Sequence, residues 1–79
     1  MANQRLRPFV LFIEGVYFDL PIAIVAGVEL GRDEDEAFYK AACRFPPSQY
    51  SLLPPLAWEE VPIEMRLHAI EIDRMGLLV

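Results

Sequence analysis

The stretch from Phe9 to Leu30 constrains this chain more than any other, because it is long, apolar and interrupted by Glu14 and Asp19. Those charges deny it the roughly 20 apolar residues that a membrane-spanning helix requires. It must therefore be buried inside a folded domain or against a partner. Its first part, Phe9 to Phe18, reads FVLFIEGVYF, an aromatic and β-branched run that suits a pleated surface. A strand over about 9–18, or a hairpin turning at Gly15, is expected. Residues 1–8 read as a short polar arm.

The second part is ambiguous. Asp19-Leu20-Pro21 resembles a helix start, since Asp caps free amides and Pro is tolerated in a first turn. In residues 22–30, IAIVAGVEL, four β-branched residues and Gly27 favour a strand, whereas the preceding cap and Gly31 favour a short buried helix. The cap tips the expectation to helix.

The signals at 33–44 are firmer. Asp33 and Glu36 form an acidic capping box, Glu34 and Asp35 place negative charge at the positive end of the helix dipole, and Arg44 sits near its negative end. A helix over about 33–44 follows, with Phe38, Ala41, Ala42 and Phe45 as its apolar stripe. Glu36 and Lys40, four residues apart, are expected to pair.

Five of the seven prolines fall between residues 46 and 62, a segment that also holds Tyr50, Leu52, Leu53, Leu56 and Trp58. Proline lowers the entropy of the unfolded chain, so this segment is expected to cross the body of the domain in an extended form. From about 62 to 75 a helix is expected, because Pro62 suits its start, the interior is rich in helix formers, and Gly76-Leu77 resembles a Schellman stop. The alternative is a long strand bulged at Ala69-Ile70, since residues 63–69 alternate. On a helix, Ile63, Leu67 and Ile70 share one side and Met65, Ala69 and Ile72 the opposite one. One side can meet the domain and the other a second chain.

The fold class expected is therefore α+β in a single small domain. At 79 residues and 54% hydrophobic, the chain hides only about 60% of its unfolded surface, so some of the apolar excess stays outside a monomer's core. Self-association, as a dimer or higher, is the natural outcome.

Seven cationic side chains, Lys40 and six scattered arginines, stand against twelve anionic ones, for a net charge of −5. Nucleic acid and anionic membrane surfaces both need clustered positive charge, so neither is an expected partner. The N-terminus offers no secretory cleavage pattern. Cys43, the sole cysteine, fits a reducing compartment, and a cytoplasmic protein is expected.

Chemistry-bearing residues are few. Cys43 and His68 could form a thiolate–imidazole dyad, but the C-terminal end of a helix opposes a thiolate, and a lone Cys is usually a small buried hydrophobe. Glu64, His68 and Glu71 share a helix face, though a zinc site needs further ligands. The run Asp33-Glu34-Asp35-Glu36 lacks the oxygen spacing of a calcium loop, and Gly27 and Gly31 match no phosphate-binding loop. No cofactor is expected. Three functions follow in order: a non-catalytic acidic interaction, adaptor or inhibitor protein acting as a homo-oligomer; a binder of a small apolar ligand, its pocket rimmed by LLPPLAW with Tyr17 and Phe18; and a small enzyme using Cys43 with His68, or Glu64 with Glu71. The expected interaction residues are Tyr50, Leu53, Trp58, Met65 and Ile72.

Overall fold

The computed structural model describes residues 5–76. Its framework is a long antiparallel hairpin of β1 (Arg7–Tyr17) and β2 (Leu20–Gly31), closed by Phe18 and Asp19. These two residues have φ of 51° and 64°, the left-handed pair that a type I′ turn requires and that matches the twist of the strands. The reversal lies at 18–19 and not at Gly15, and Asp19 serves the turn instead of capping a helix. The strand also begins at Arg7, inside the segment expected to be a polar arm.

Residues 22–30 are strand, which corrects the preference for helix. Their pattern misleads because of a β-bulge: Leu11 pairs with Gly27 and Phe12 with Val25, leaving Ala26 as an extra residue. The insertion turns both Val25 and Val28 to the same sheet face, three residues apart, so the simple alternation of a strand is lost. With the helical cap absorbed by the turn, the β-branched residues prevail.

α1 (Glu34–Arg44) and α2 (Ile63–Met75) cover opposite faces of this sheet. On one face Val10, Phe12 and Val25 pack with Val61 and with Ala69 of α2, flanked by Val28, Leu53 and Trp58. On the other, Leu11, Ile13 and Ala26 pack with Ala41 of α1 and with Phe45, flanked by Tyr50 and Leu52. Phe9 to Ile13 are all buried, as befits a strand covered on both sides.

α1 starts as expected, with the Asp33 carboxylate accepting from the Glu36 N–H at 2.8 Å. Glu36 does not close the box on Asp33 or pair with Lys40; it accepts from the Arg32 N–H at 2.6 Å and from the Arg32 guanidinium at 2.7 Å. The buried stripe is Ala37, Ala41 and Phe45, with Phe38 exposed, because alanines let the helix approach the sheet closely. Cys43 falls on the exposed side and is no buried hydrophobe.

The proline-rich segment crosses the second edge of β1. β3 (Ser51–Leu52) pairs with Ile13 and Glu14, β4 (Leu56–Ala57) pairs with Phe9 and Val10, and the Leu53 N–H donates to the Phe12 carbonyl at 2.9 Å. A short 3-10 turn (Trp58–Glu60) leads to α2, which starts after Pro62 and stops at Gly76 in the left-handed region, its N–H bonded to the Ile72 carbonyl. The helix therefore replaces the bulged-strand alternative, and the expected contact of Leu77 lies outside the described residues. The result is an α+β domain with sheet order β2-β1-β3.

Candidate interaction surface

The hairpin outruns the helices that cover its base. Beyond Ile13 on β1 and before Val25 on β2 its side chains are largely uncovered, with Phe18 82% exposed, Val16 72%, Leu20 65% and Tyr17 62%. Strands of 11 and 12 residues at roughly 3.3 Å per residue extend about 35 Å, most of the longest dimension of a molecule measuring 49 × 29 × 22 Å.

Register decides which of these residues stand together. Tyr17 pairs with Leu20, Gly15 with Ile22 and Ile13 with Ile24, and directly opposed residues share a face. Tyr17, Leu20, Ile22 and Ile24 thus form one apolar stripe continuing the α1 side of the sheet. Gly15 makes room for it: a Cβ there would meet Ile24 Cδ1 and come within 3.8 Å of Ile22 Cγ1. The rings of Tyr17 and Phe18 meet edge to face, 4.5 Å between centroids.

Phe18 is the most informative residue of the turn. A side chain at positive φ costs about 1–2 kcal/mol relative to glycine, and Asn-Gly is the pair this turn favours. An aromatic ring held at φ 51° and exposed to solvent contributes little to the fold that carries it. Backbone strain of this kind is concentrated where residues bind.

The outer edge of β2 divides at the bulge. Near the base it is closed from both faces: the Val28 N–H donates to Asp73 Oδ1 of α2 at 3.3 Å, and the Val28 carbonyl accepts from Arg44 of α1 at 2.8 Å. Arg44 in turn bonds Asp73 at 2.9 Å and Glu29 at 3.2 Å, so a charge pair joins the two helices around the edge of the sheet. Gly27, at φ 147°, permits this crossing, since a Cβ there would lie 2.9 Å from Asp73 Oδ1. Lys40 Nζ caps the Leu30 carbonyl at 3.0 Å. Among the described residues, side-chain hydrogen bonds to β2 all fall on the base side of the bulge.

A second feature lies on the α2 side of the sheet. Phe12, Ala23, Leu53, Pro54 and Leu56 line an open apolar hollow of about 370 Å³. Part of the LLPPLAW segment does form its rim, but Phe12 and Ala23 complete it in place of Tyr17 and Phe18.

Comparison with protein-family models, curated proteins and solved structures finds no match for this chain.

The residues singled out from sequence are distributed differently. Tyr50 packs edge to face on Phe45 at 5.3 Å, and Leu53 and Trp58 lean on the Val10 core, with Arg66 over the indole at 5.7 Å. All three are half-buried, serving the domain itself. Met65, 37% exposed, and half-buried Ile72 share the side of α2 that holds buried Ala69, whereas Ile63, Leu67 and Ile70 on the opposite side are exposed. Cys43 and His68 belong to helices on opposite faces of the sheet, so the structure does not assemble a dyad. Glu64, His68 and Glu71 line a shallow depression on the outer side of α2 with Leu67, Ile70 and Arg74. Among the described residues no group of three or more His, Cys, Asp or Glu is placed to hold a metal ion. No described helix is long and apolar enough to cross a membrane.

At the base, the hydrogen bond from the Arg32 guanidinium, followed by that from its backbone N–H, lowers the Glu36 carboxyl to about 2. The same contact raises Arg32 above its ordinary value. This pair tightens the entry to α1, away from the tip.

Sequence reasoning missed Val16, Leu20, Ile22 and Ile24 as surface residues, and treated Tyr17 and Phe18 as a pocket rim. The available signal was a strand-forming run longer than the helices of so small a domain can cover.

Proposed function

We propose that this protein is a non-catalytic interaction protein, an adaptor or inhibitor, that acts as a homo-oligomer and associates through its hairpin tip. The observation that supports the reading is the solvent-exposed Phe18 in a left-handed turn, continuous with the stripe of Tyr17, Leu20, Ile22 and Ile24. Uncovered apolar patches of this kind usually mark protein contacts. The reading carries with it the cytoplasmic setting expected from the lone Cys43, and no cofactor.

Sedimentation velocity over a concentration series tests it. Wild-type protein should sediment as a dimer or higher at micromolar concentration, and Ile22→Glu should sediment as a folded monomer. A wild-type monomer throughout would overturn the reading.

A second reading, binding of a small apolar molecule, is favoured by the hollow beside Leu53 and Leu56, whose volume lies within the usual range of ligand pockets. Solvatochromic dye binding lost in Leu53→Asp, with oligomeric mass unchanged, would support it over the first.

A further inference from the structure

We infer that the occupant of the open β2 edge is a second copy of this chain, joined antiparallel about a two-fold axis at Ala23 to give one sheet running through both copies. This rests on the self-association reading above and adds its geometry.

The register of the hairpin determines which backbone groups are free. In a two-residue turn the flanking residues, here Tyr17 and Leu20, form a hydrogen-bonded pair, and such pairs alternate with pairs whose backbone groups point away. Pro21, Ala23 and Val25 therefore direct their backbone outward, and proline, which has no N–H, is tolerated at such an edge position. The bulge at Ala26 ends this series, and past it Asp73 and Arg44 occupy the edge at Val28.

Three symmetric registers pair different members of this outward set with one another. Centred on Ile22, Pro21 faces Ala23 of the other copy and its missing N–H removes much of the ladder. Centred on Ile24, Pro21 faces Gly27 and the strand itself, at Leu20, runs against the Arg44–Asp73 pair at Val28. Centred on Ala23, each Ala23 exchanges bonds with its counterpart, each Val25 N–H meets a Pro21 carbonyl, and the ladder stops short of the charge pair, which only the turn residues Phe18 and Asp19 reach. The third register is the one the edge accommodates.

Charge and side-chain placement point to the same partner. A copy of this chain brings a net charge of −5 to its twin, yet the ladder residues Pro21 to Val25 contain no ionisable group, so the copies meet along a neutral ladder. The two-fold axis keeps the α1-side faces together and sets Ile22 of each copy opposite Ile24 of the other. Pairing along this edge sets Leu20, Ile22 and Ile24 of each copy against the other, and Tyr17 extends the α1-side apolar stripe that the two copies then share.

Cysteine crosslinking in the full chain, in a Cys43→Ser background, tests this geometry. Hydrogen-bonded antiparallel partners have Cα atoms about 5.5 Å apart, within disulfide reach, so Ala23→Cys should link to itself nearly completely under mild oxidation. Pro21→Cys, about 14 Å from its counterpart by strand spacing, should stay reduced. Ala23 is exposed, and a thermal melt of each variant establishes that it folds. If wild type is dimeric and Ile22→Glu disperses it, yet Ala23→Cys does not link or Pro21→Cys links equally, the two-fold at Ala23 is overturned while self-association stands. If wild type is a monomer and neither cysteine links, self-association fails too, and the edge belongs to a different partner.

Discussion

The base and the tip of one hairpin have similar apolar sequences and opposite fates. From Phe9 to Ile13 every side chain is buried between two helices, and the edge of β2 beside Val28 is closed by Asp73 and Arg44. From Val16 to Ile22 the residues are also apolar apart from Asp19 in the turn, but neither helix covers them. Strand-forming residues thus specify a hairpin, whereas burial depends on how far the covering helices reach. The base is where stability is concentrated, and the tip carries surface that the fold does not use.

Breaking each end separately gives the largest contrast. Leu11→Ala, at a fully buried site of the base, should lower stability by about 2–5 kcal/mol and leave a folded fraction that still associates. Ile22→Glu should leave the melting midpoint close to wild type while abolishing association. Chemical denaturation beside sedimentation distinguishes these outcomes.

The next effect concerns the boundary between the ends. Asp73→Ala removes the acceptor of the Val28 N–H and a partner of Arg44, for a loss of about 1–2 kcal/mol. It also lengthens the open edge. Light scattering should show species larger than the wild-type oligomer, because unprotected edges recruit further strands.

Relaxing the turn sharpens the comparison further. The double change Phe18→Asn and Asp19→Gly supplies the pair that type I′ turns favour, and should raise stability by about 1 kcal/mol while weakening association. A stability gain with association intact would show that the Phe18 ring is not part of the contact.

The smallest effect belongs to the ion pair at the start of α1. Because the folded Glu36 carboxyl sits near 2, below its ordinary value of 4.5, its contribution is fully present above about pH 4.5 and is lost as pH falls through about 2. Solvent screening keeps that contribution slight. Thermal melts from pH 5 to 2 should show a shallower acid decline for Glu36→Gln than for wild type.

The legible parts of the fold were those set by local chemistry. Asp33 announced α1, and Pro62 with Gly76 bracketed α2, because caps act within a turn of the residues that make them. The turn at Phe18-Asp19 was not legible, since neither residue is the usual occupant of its position and only the pairing of the two strands enforces the conformation. The bulge at Ala26 disguised β2 in the same way, by breaking the alternation that identifies a strand. Cys43 was misplaced because α1 docks through Ala37 and Ala41 instead of the larger Phe38, a choice made by the distance between helix and sheet.

The candidate site was less legible still. Tyr50, Leu53 and Trp58 drew attention as apolar residues in a loop, yet they lean on the domain's own core. Ile22 and Ile24 did not, because an apolar strand residue is ordinarily a core residue. Which strand end lies beyond helical cover is a property of tertiary structure.

Backbone amide exchange measured at several protein concentrations addresses the contrast of base and tip most directly. Leu11, Phe12 and Val28 should be protected at every concentration, and Ala23 and Val25 should exchange rapidly in dilute solution and become protected as association proceeds. Rapid exchange of Ala23 and Val25 in fully associated protein, or strong protection in the monomer, would contradict an open edge that closes on a second copy.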